Sequence, residues 1–275
     1  MIPAPFEYRR VDSVDEAIQA LSDGPDAKLL AGGHSLLPLM KVRLARPSLL
    51  VDISRLEDLK YVKHDGDRVA IGALTRHHDV ANSEVLQELC PIVSYAAGEI
   101  GDPQVRHVGT IGGSVAHADP ASDLPSVLLA LDAEMVVRGP GGVRNVGVGD
   151  FFKGLFEPDL ATDEVLTEIR VPTTTGRGWS YLKFHRRAQD WALVGVAALA
   201  QNGAGPSVAL TNMADRPVRA TGVEEELAGG ADPAAASQRA AEGTSPPSDA
   251  FASAEYRLEL VKVLVRRALE EARAR

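Results

Sequence analysis

Residues 109–125 read GTIGGSVAHADPASDLP. A short apolar step runs into the pair Gly112-Gly113, then Ser114, then a turn-rich run ending on the carboxylate of Asp123. Glycine permits positive φ and removes the Cβ that would bar a ligand from the backbone. Successive amides in such a turn converge into an anion nest, with the hydroxyls of Thr110 and Ser114 as further donors. A single glycine pair makes an ordinary turn just as readily. A second one, in Ala31-Gly32-Gly33-His34-Ser35, shifts the balance, because two loops meeting head-on supply several amide donors to a diphosphate without any Lys or Arg. Asp123 is then placed to accept from a ribose or ring N–H. Its alternative role is to cap a helix at Leu124-Pro125-Ser126.

Composition narrows the classes. The chain has 275 residues, 45% hydrophobic and 24% charged, enough for a sizeable core in one large domain or two modest ones. A formal charge of −9 offers no basic field for nucleic acid. Cys90 is the only cysteine, which excludes an intramolecular disulfide and a cysteine-ligated cluster within the chain. The amino end, MIPAPFEYRR, lacks the apolar core of a signal peptide, and no stretch has the length of a membrane span. A cytoplasmic location is expected, and any electrons must be carried by an organic cofactor.

Around the glycine pairs the elements alternate. Ser13-Val-Asp-Glu16 is a capping box for a first helix that stops at Gly24. Strands are expected at 27–31, running into Gly32, at 49–53, and at 68–74. Pro38 and Pro47 argue against one uninterrupted helix between the first two. Thr75 and Ser83 are candidate N-caps, and a helix from Glu84 buries Val85, Leu86, Leu89 and Val93. The GPGG turn joins 133–138 and 143–148 as a hairpin, and 165–171 is a further strand. Composition shifts at TTTGRG, 173–178, dividing the chain into 1–175 and 176–275. Beyond it lie strand-like runs at 179–187, 192–200 and 207–212, a mobile loop with little helix at 229–250, and a last helix opened by Ser253.

No G-x-G-x-x-G follows a strand and no G-x-x-x-x-G-K-[ST] is present, which disfavours the Rossmann and P-loop solutions. The seven histidines show no metal-ligand spacing, and a solvated or capping role is expected for His77-His78. Trp191 is either a stacking platform or a buried aromatic at the start of a strand. Lys183 is either a surface lysine on a strand or a cation beside a ligand.

AGGHSLLPLMKVRLARP at 31–47 and QVRHVGTIGGSVAHADPASDLP at 104–125 resemble the FAD-binding medium subunit of the molybdenum hydroxylases, most of all the aerobic carbon monoxide dehydrogenase branch. The resemblance extends to DEVLTEIRVP at 163–172, YLKFHRRAQDWALVGVA at 181–197 and SAEYRLELVKVLVRRAL at 253–269, nearly the whole chain. It implies an α+β fold: a vanillyl-alcohol-oxidase-like (PCMH-type) FAD-binding domain of two α/β subdomains, plus a smaller C-terminal α/β domain with a three-stranded sheet and helices. It also implies that Leu29, Leu30, Ala31, Gly32, Gly33, His34, Ser35 and Leu36, with Thr110, Ile111, Gly112, Gly113 and Ser114, form the two diphosphate loops. Asp123 matches a carboxylate near the adenosine half, and Leu166 and Lys183 match positions lining the flavin. Ser114 and His107 stand where many relatives carry Asn, changes that leave the loop amides intact.

Three functions compete. The resemblance implies an electron-transfer subunit that binds FAD noncovalently. Substrate would be oxidised at a molybdenum cofactor on a large partner, [2Fe-2S] clusters on a small partner would relay the electrons, and the complex would be a dimer of heterotrimers. No general acid or base is then needed here, and none is evident. The second is a stand-alone flavin oxidase with FAD attached at His34, for which about 100 C-terminal residues leave little room for a substrate domain. The third is a nucleotide-binding module without redox use, against which the intact glycine pairs argue.

Overall fold

The computed structural model describes residues 2–24, 26–200 and 205–275. The chain opens on strand β1 (Glu7–Arg10), which escapes pattern reading because all four residues are exposed. Ser13 Oγ accepts from the Glu16 amide at 3.2 Å, and Glu16 reaches back to the Asp12 amide at 3.0 Å. That capping box starts helix α1 (Val14–Asp23), whose Ala17, Ile18 and Leu21 are buried. Strands β2 (Lys28–Leu30) and β3 (Leu49–Asp52) join β1 in a parallel sheet of order β1-β3-β2. Between them, α2 (Leu36–Lys41) carries Pro38 in its first turn, where the missing N–H would have had no helical partner anyway.

Five antiparallel strands form the second sheet: β4 (Val62–Asp65), β5 (Arg68–Gly72), the hairpin β6 (Glu134–Gly139) and β7 (Gly142–Gly147), and, after the short pair β8 (Phe152–Gly154) and β9 (Glu157–Pro158), β10 (Val165–Pro172). Their order is β4-β5-β10-β6-β7. The helices lie between β5 and β6: α3 (His77–Ala81), α4 (Glu84–Leu89), α5 (Pro91–Gly98), α6 (Pro103–Arg106), α7 (Ile111–His117) and α8 (Asp123–Ala130). Ser83 caps α4 as expected, but Pro91 splits the expected long helix in two. Thr75 is no cap; its hydroxyl donates to the Tyr61 carbonyl at 2.9 Å, and Arg76 takes the cap position.

The C-terminal sheet holds the three expected strands, β11 (Trp179–Phe184), β12 (Val194–Leu199) and β13 (Ser207–Thr211), extended by a two-residue edge, β14 (Val218–Arg219). β12 is buried on both faces, as its unbroken VGVAAL suggests. One face carries the last helix, α9 (Ala254–Ala274), capped by Ser253, with Val261, Val265, Ala268 and Leu269 buried beneath it. The stretch 229–250 has little helix, as expected, but it is not loose. Asp232 caps a single turn through the Ala235 amide at 2.8 Å, and Ala236 and Ala240 are fully buried against that core.

The other face of the sheet packs on α8. All eight residues of DLPSVLLA are buried, as in a helix held between two layers, and all but Asp123 and Ser126 are apolar. Leu124, Val127 and Leu128 are fully buried and contribute about 2 kcal/mol each. Tyr181, Ala197, Leu199 and Ala209 of the C-terminal sheet share one continuous core with α5, α7, α8 and the five-stranded sheet. This packing also draws Asp123, the first residue of α8, into the interior.

Candidate functional site

A cavity of about 960 Å³ lies where the three sheets meet. All the expected site residues border it except Leu30 and Ile111; Ile111 is fully buried in the core. At its floor the two glycine loops touch. A Cβ on Gly32 would lie 2.3 Å from the Val108 carbonyl oxygen and 2.9 Å from Gly109 Cα.

The two glycine pairs do different work. In the first loop Gly33 adopts φ +72°, and the amides of Gly32, Gly33, His34 and Ser35 donate to no group among the described residues. Four consecutive free donors beside a cavity form the anion nest that the sequence suggests. The second pair does not sit in a nest, and no strand precedes it. Gly112 and Gly113 lie in the first turn of α7, where Thr110 caps the Gly113 amide at 3.2 Å. The Ile111 amide donates to Thr75 O at 3.0 Å, the Gly112 amide to Ala73 O at 2.8 Å, and the Ser114 amide to Thr110 O at 3.1 Å. Gly112 is small because a Cβ there would meet Ala73 at 2.5 Å, so this glycine serves close packing. What the second loop offers the cavity is the bare backbone at Gly113, where a Cβ would crowd Thr110 Oγ1 at 2.9 Å, and the neighbouring Ser114.

Asp123 does not cap α8; Ser122 holds that position. Its Oδ2 accepts from Lys183 Nζ at 2.9 Å and its Oδ1 from Tyr181 Oη at 2.6 Å, while Lys183 also donates to Glu99 O at 3.0 Å. The two charged side chains are only 6% and 3% exposed. Burial pushes the Asp123 carboxyl up, opposed by Lys183 and Tyr181, and burial holds the Tyr181 phenol well above its usual range. Lys183 is therefore no surface lysine. It forms one buried pair with Asp123, and both residues border the cavity.

Two residues depart from expectation, His77 and Trp191, and two more, Phe156 and Tyr181, belong to the site or its support without being singled out by the sequence. His77 is buried, not solvated: it is 4% exposed, borders the cavity beside Gly109, and has no partner at Nδ1 among the described residues. Burial, then His34 and Arg106, lower its pKa to about 4. Trp191 is 56% exposed at the cavity rim rather than buried at a strand start. Phe156, at φ +57° and half-exposed, lies on the rim as well. Tyr181 could have been found from period 2, since it shares a strand face with Lys183. His77 and Phe156 carry no sequence signal.

Residues 4–174 match the family model for the FAD binding domain in molybdopterin dehydrogenase, and residues 179–272 the CO dehydrogenase flavoprotein C-terminal domain. The chain belongs to the FAD-binding medium subunits of the molybdenum hydroxylases. It is 41% identical to the carbon monoxide dehydrogenase medium chain of Hydrogenophaga pseudoflava, with 100% of this chain and 99% of that one covered. It is 40% identical to the glyceraldehyde dehydrogenase medium chain of Sulfolobus acidocaldarius, covering 98% and 99%. Among solved structures, a carbon monoxide dehydrogenase from H. pseudoflava superposes with a TM-score of 0.95 at 42% identity, covering 100% of this chain and 99% of that one. Quinoline 2-oxidoreductase from Pseudomonas putida 86 gives 0.92 at 33%, with the same coverage. As a medium subunit, this chain is one part of an oxidoreductase complex with large and small partners. Its residues suit FAD: free amides on one loop for the diphosphate, a cavity of about 960 Å³ bordered by Gly33 and Gly113, and aromatic rings along its lining. Among the described residues no helix is long and apolar enough to cross a membrane.

Proposed function

We propose that this medium subunit holds one FAD noncovalently in the 960 Å³ cavity and relays electrons from iron–sulfur clusters of the small partner to an external acceptor. The observation that carries the reading is the row of free amides from Gly32 to Ser35, facing a cavity that also holds Asp123, Leu166 and Lys183. Bound FAD supplies the ability to take electrons singly and release them in pairs. The chain's own part is to bind, orient and shield: the first loop holds the diphosphate, Gly113 and Ser114 leave it space, and Trp191 and Phe156 cover the rim. Residues 1–175 form the FAD-binding domain, and 176–275 close the cavity with Lys183 and Trp191.

With a single cysteine, the clusters must reside on another chain. Oxidation of substrate belongs to the molybdenum cofactor of the large partner, in a dimer of heterotrimers in the cytoplasm. Carbon monoxide is the first substrate to assay, and glyceraldehyde the second, because the corresponding medium chains are nearly equally similar. Two experiments test the proposal. Titrating the purified chain with FAD should give a 1:1 yellow complex whose flavin is released on denaturation; protein that stays colourless overturns it, and yellow colour retained on a denaturing gel moves the reading to the His34-linked oxidase. Purifying the native complex should recover chains carrying molybdenum and iron–sulfur centres, and their absence overturns the relay.

A further inference from the structure

Tyr181 is 2% exposed and does not border the cavity, yet it is bonded to a residue that does. The Asp123 carboxylate has two partners from β11, Lys183 on Oδ2 and the Tyr181 phenol on Oδ1. They lie two residues apart and so point to the same sheet face. Behind Tyr181 the space is closed: a Cβ on Gly195 would lie 3.1 Å from Tyr181 Oη and 2.9 Å from Thr211 Oγ1. Thr211 in turn is 2.5 Å from Ser126 Oγ on α8. The phenol therefore has one orientation, with its O–H on Asp123, and the bond spans the sheet and α8.

We propose that Tyr181 is a positioning residue of the cofactor site, acting through Asp123 to set the electrostatic potential that the cavity wall presents to bound FAD. This rests on the FAD reading above. A buried carboxylate is held in place by charge-assisted hydrogen bonds, and each donor draws negative charge from the oxygen it serves. Without the phenol O–H, Oδ1 is left bare in a site with little water to screen it, and the wall becomes more negative. The reduced nucleotide carries more negative charge than the oxidised one, so it loses more affinity.

Tyr181→Phe keeps the ring and its packing while deleting the donor. With the variant loaded with FAD, the affinity for the reduced form relative to the oxidised form should fall about tenfold, read as a midpoint potential about 30 mV lower for a two-electron couple. Replacing Tyr181 by 3-fluorotyrosine, a more acidic phenol of nearly the same shape, should move the potential upward. Ser126→Ala, which removes a hydroxyl of the same network without touching the carboxylate, should leave it unchanged. A purely structural Tyr181 would lower the melting temperature and leave the potential in place; an unchanged potential in Tyr181→Phe and in the fluorotyrosine protein overturns the inference. If the wild-type chain itself takes up no FAD, it is the underlying reading that fails.

Discussion

Gly32 lies directly beneath the Val108 carbonyl: an ideal Cβ on it would fall 2.3 Å from that oxygen, far inside any permitted contact. The two glycine loops are thus seated on each other through one missing methyl group. Gly32→Ala must push the first loop away from the second and displace the free amides from Gly32 to Ser35. Overpacking of this kind costs about 1–3 kcal/mol of stability, and FAD affinity should fall at least about a hundredfold, the equivalent of about 2.7 kcal/mol. Gly149, where an added Cβ would meet nothing within 4 Å, is the control. Gly149→Ala should bind FAD like the wild type, and isothermal titration of both variants checks the pair.

The buried Lys183–Asp123 pair makes a second prediction that separates folding from binding. Lys183→Met leaves the Asp123 carboxylate 6% exposed with only the phenol as partner. Removing one member of a buried ion pair costs about 3–5 kcal/mol, whereas replacing both with apolar residues of similar size is often neutral. The double variant Lys183→Met/Asp123→Leu, made in a Tyr181→Phe background so that no phenol is left without its acceptor, should therefore recover most of the stability in urea titrations and none of the FAD affinity. If the double variant is as unstable as the single, the pair is not the uncompensated charge it is taken to be.

His77 yields a pH dependence whose sign follows from its burial. Its folded pKa is lowered to about 4 from the ordinary imidazole value of 6.5, by burial first and by His34 and Arg106 second. Between those values the unfolded chain binds the proton and the folded chain does not, so stability rises with pH across that window and is flat in this component above it. A displacement of this size corresponds to a change on the order of 3 kcal/mol. His77→Leu should flatten the component, and urea midpoints from pH 4.5 to 7.5 for both proteins would show it. Equal slopes would mean that His77 is accessible to protons in the folded state.

Local chemistry made much of this architecture legible. The Ser13-Glu16 box, the GPGG hairpin and the Ser253 cap depend only on neighbours in sequence, and each forms as its residue types dictate. The site was legible as a list of residues more than as an arrangement. Gly112 carries the same letter whether it supplies positive φ or admits Ala73, and only the tertiary contact tells which. Asp123 finds its partners 58 and 60 residues away, and the choice between cap and ligand contact left out the third possibility, a buried ion pair. β1 is invisible to pattern because neither of its faces is covered. The burial of His77 has no local signature, because it is set by Gly109, distant in sequence, against its ring.

Arg257 is the largest fully buried side chain and the last test. From α9 it reaches the Leu193 carbonyl through Nη1 and Asp249 through Nη2 at 2.7 Å. Asn212 holds the adjacent Ala192 carbonyl at 2.8 Å, and the Leu193 amide returns to Phe184 O at 2.8 Å. These bonds fix the foot of the connection between β11 and β12, whose far side carries Trp191 to the cavity rim. Arg257→Met preserves apolar bulk but leaves a carbonyl and a carboxylate without their cation, at a cost of about 3 kcal/mol or a melting temperature roughly 6–12 °C lower. In a Trp179→Phe background Trp191 is the sole tryptophan, and bound FAD should quench its fluorescence. That quenching should weaken in Arg257→Met at FAD concentrations that saturate the site, because the ring is no longer held over the cavity. Undiminished quenching would show that the rim is fixed by Asn212 alone and that Arg257 serves only the C-terminal core.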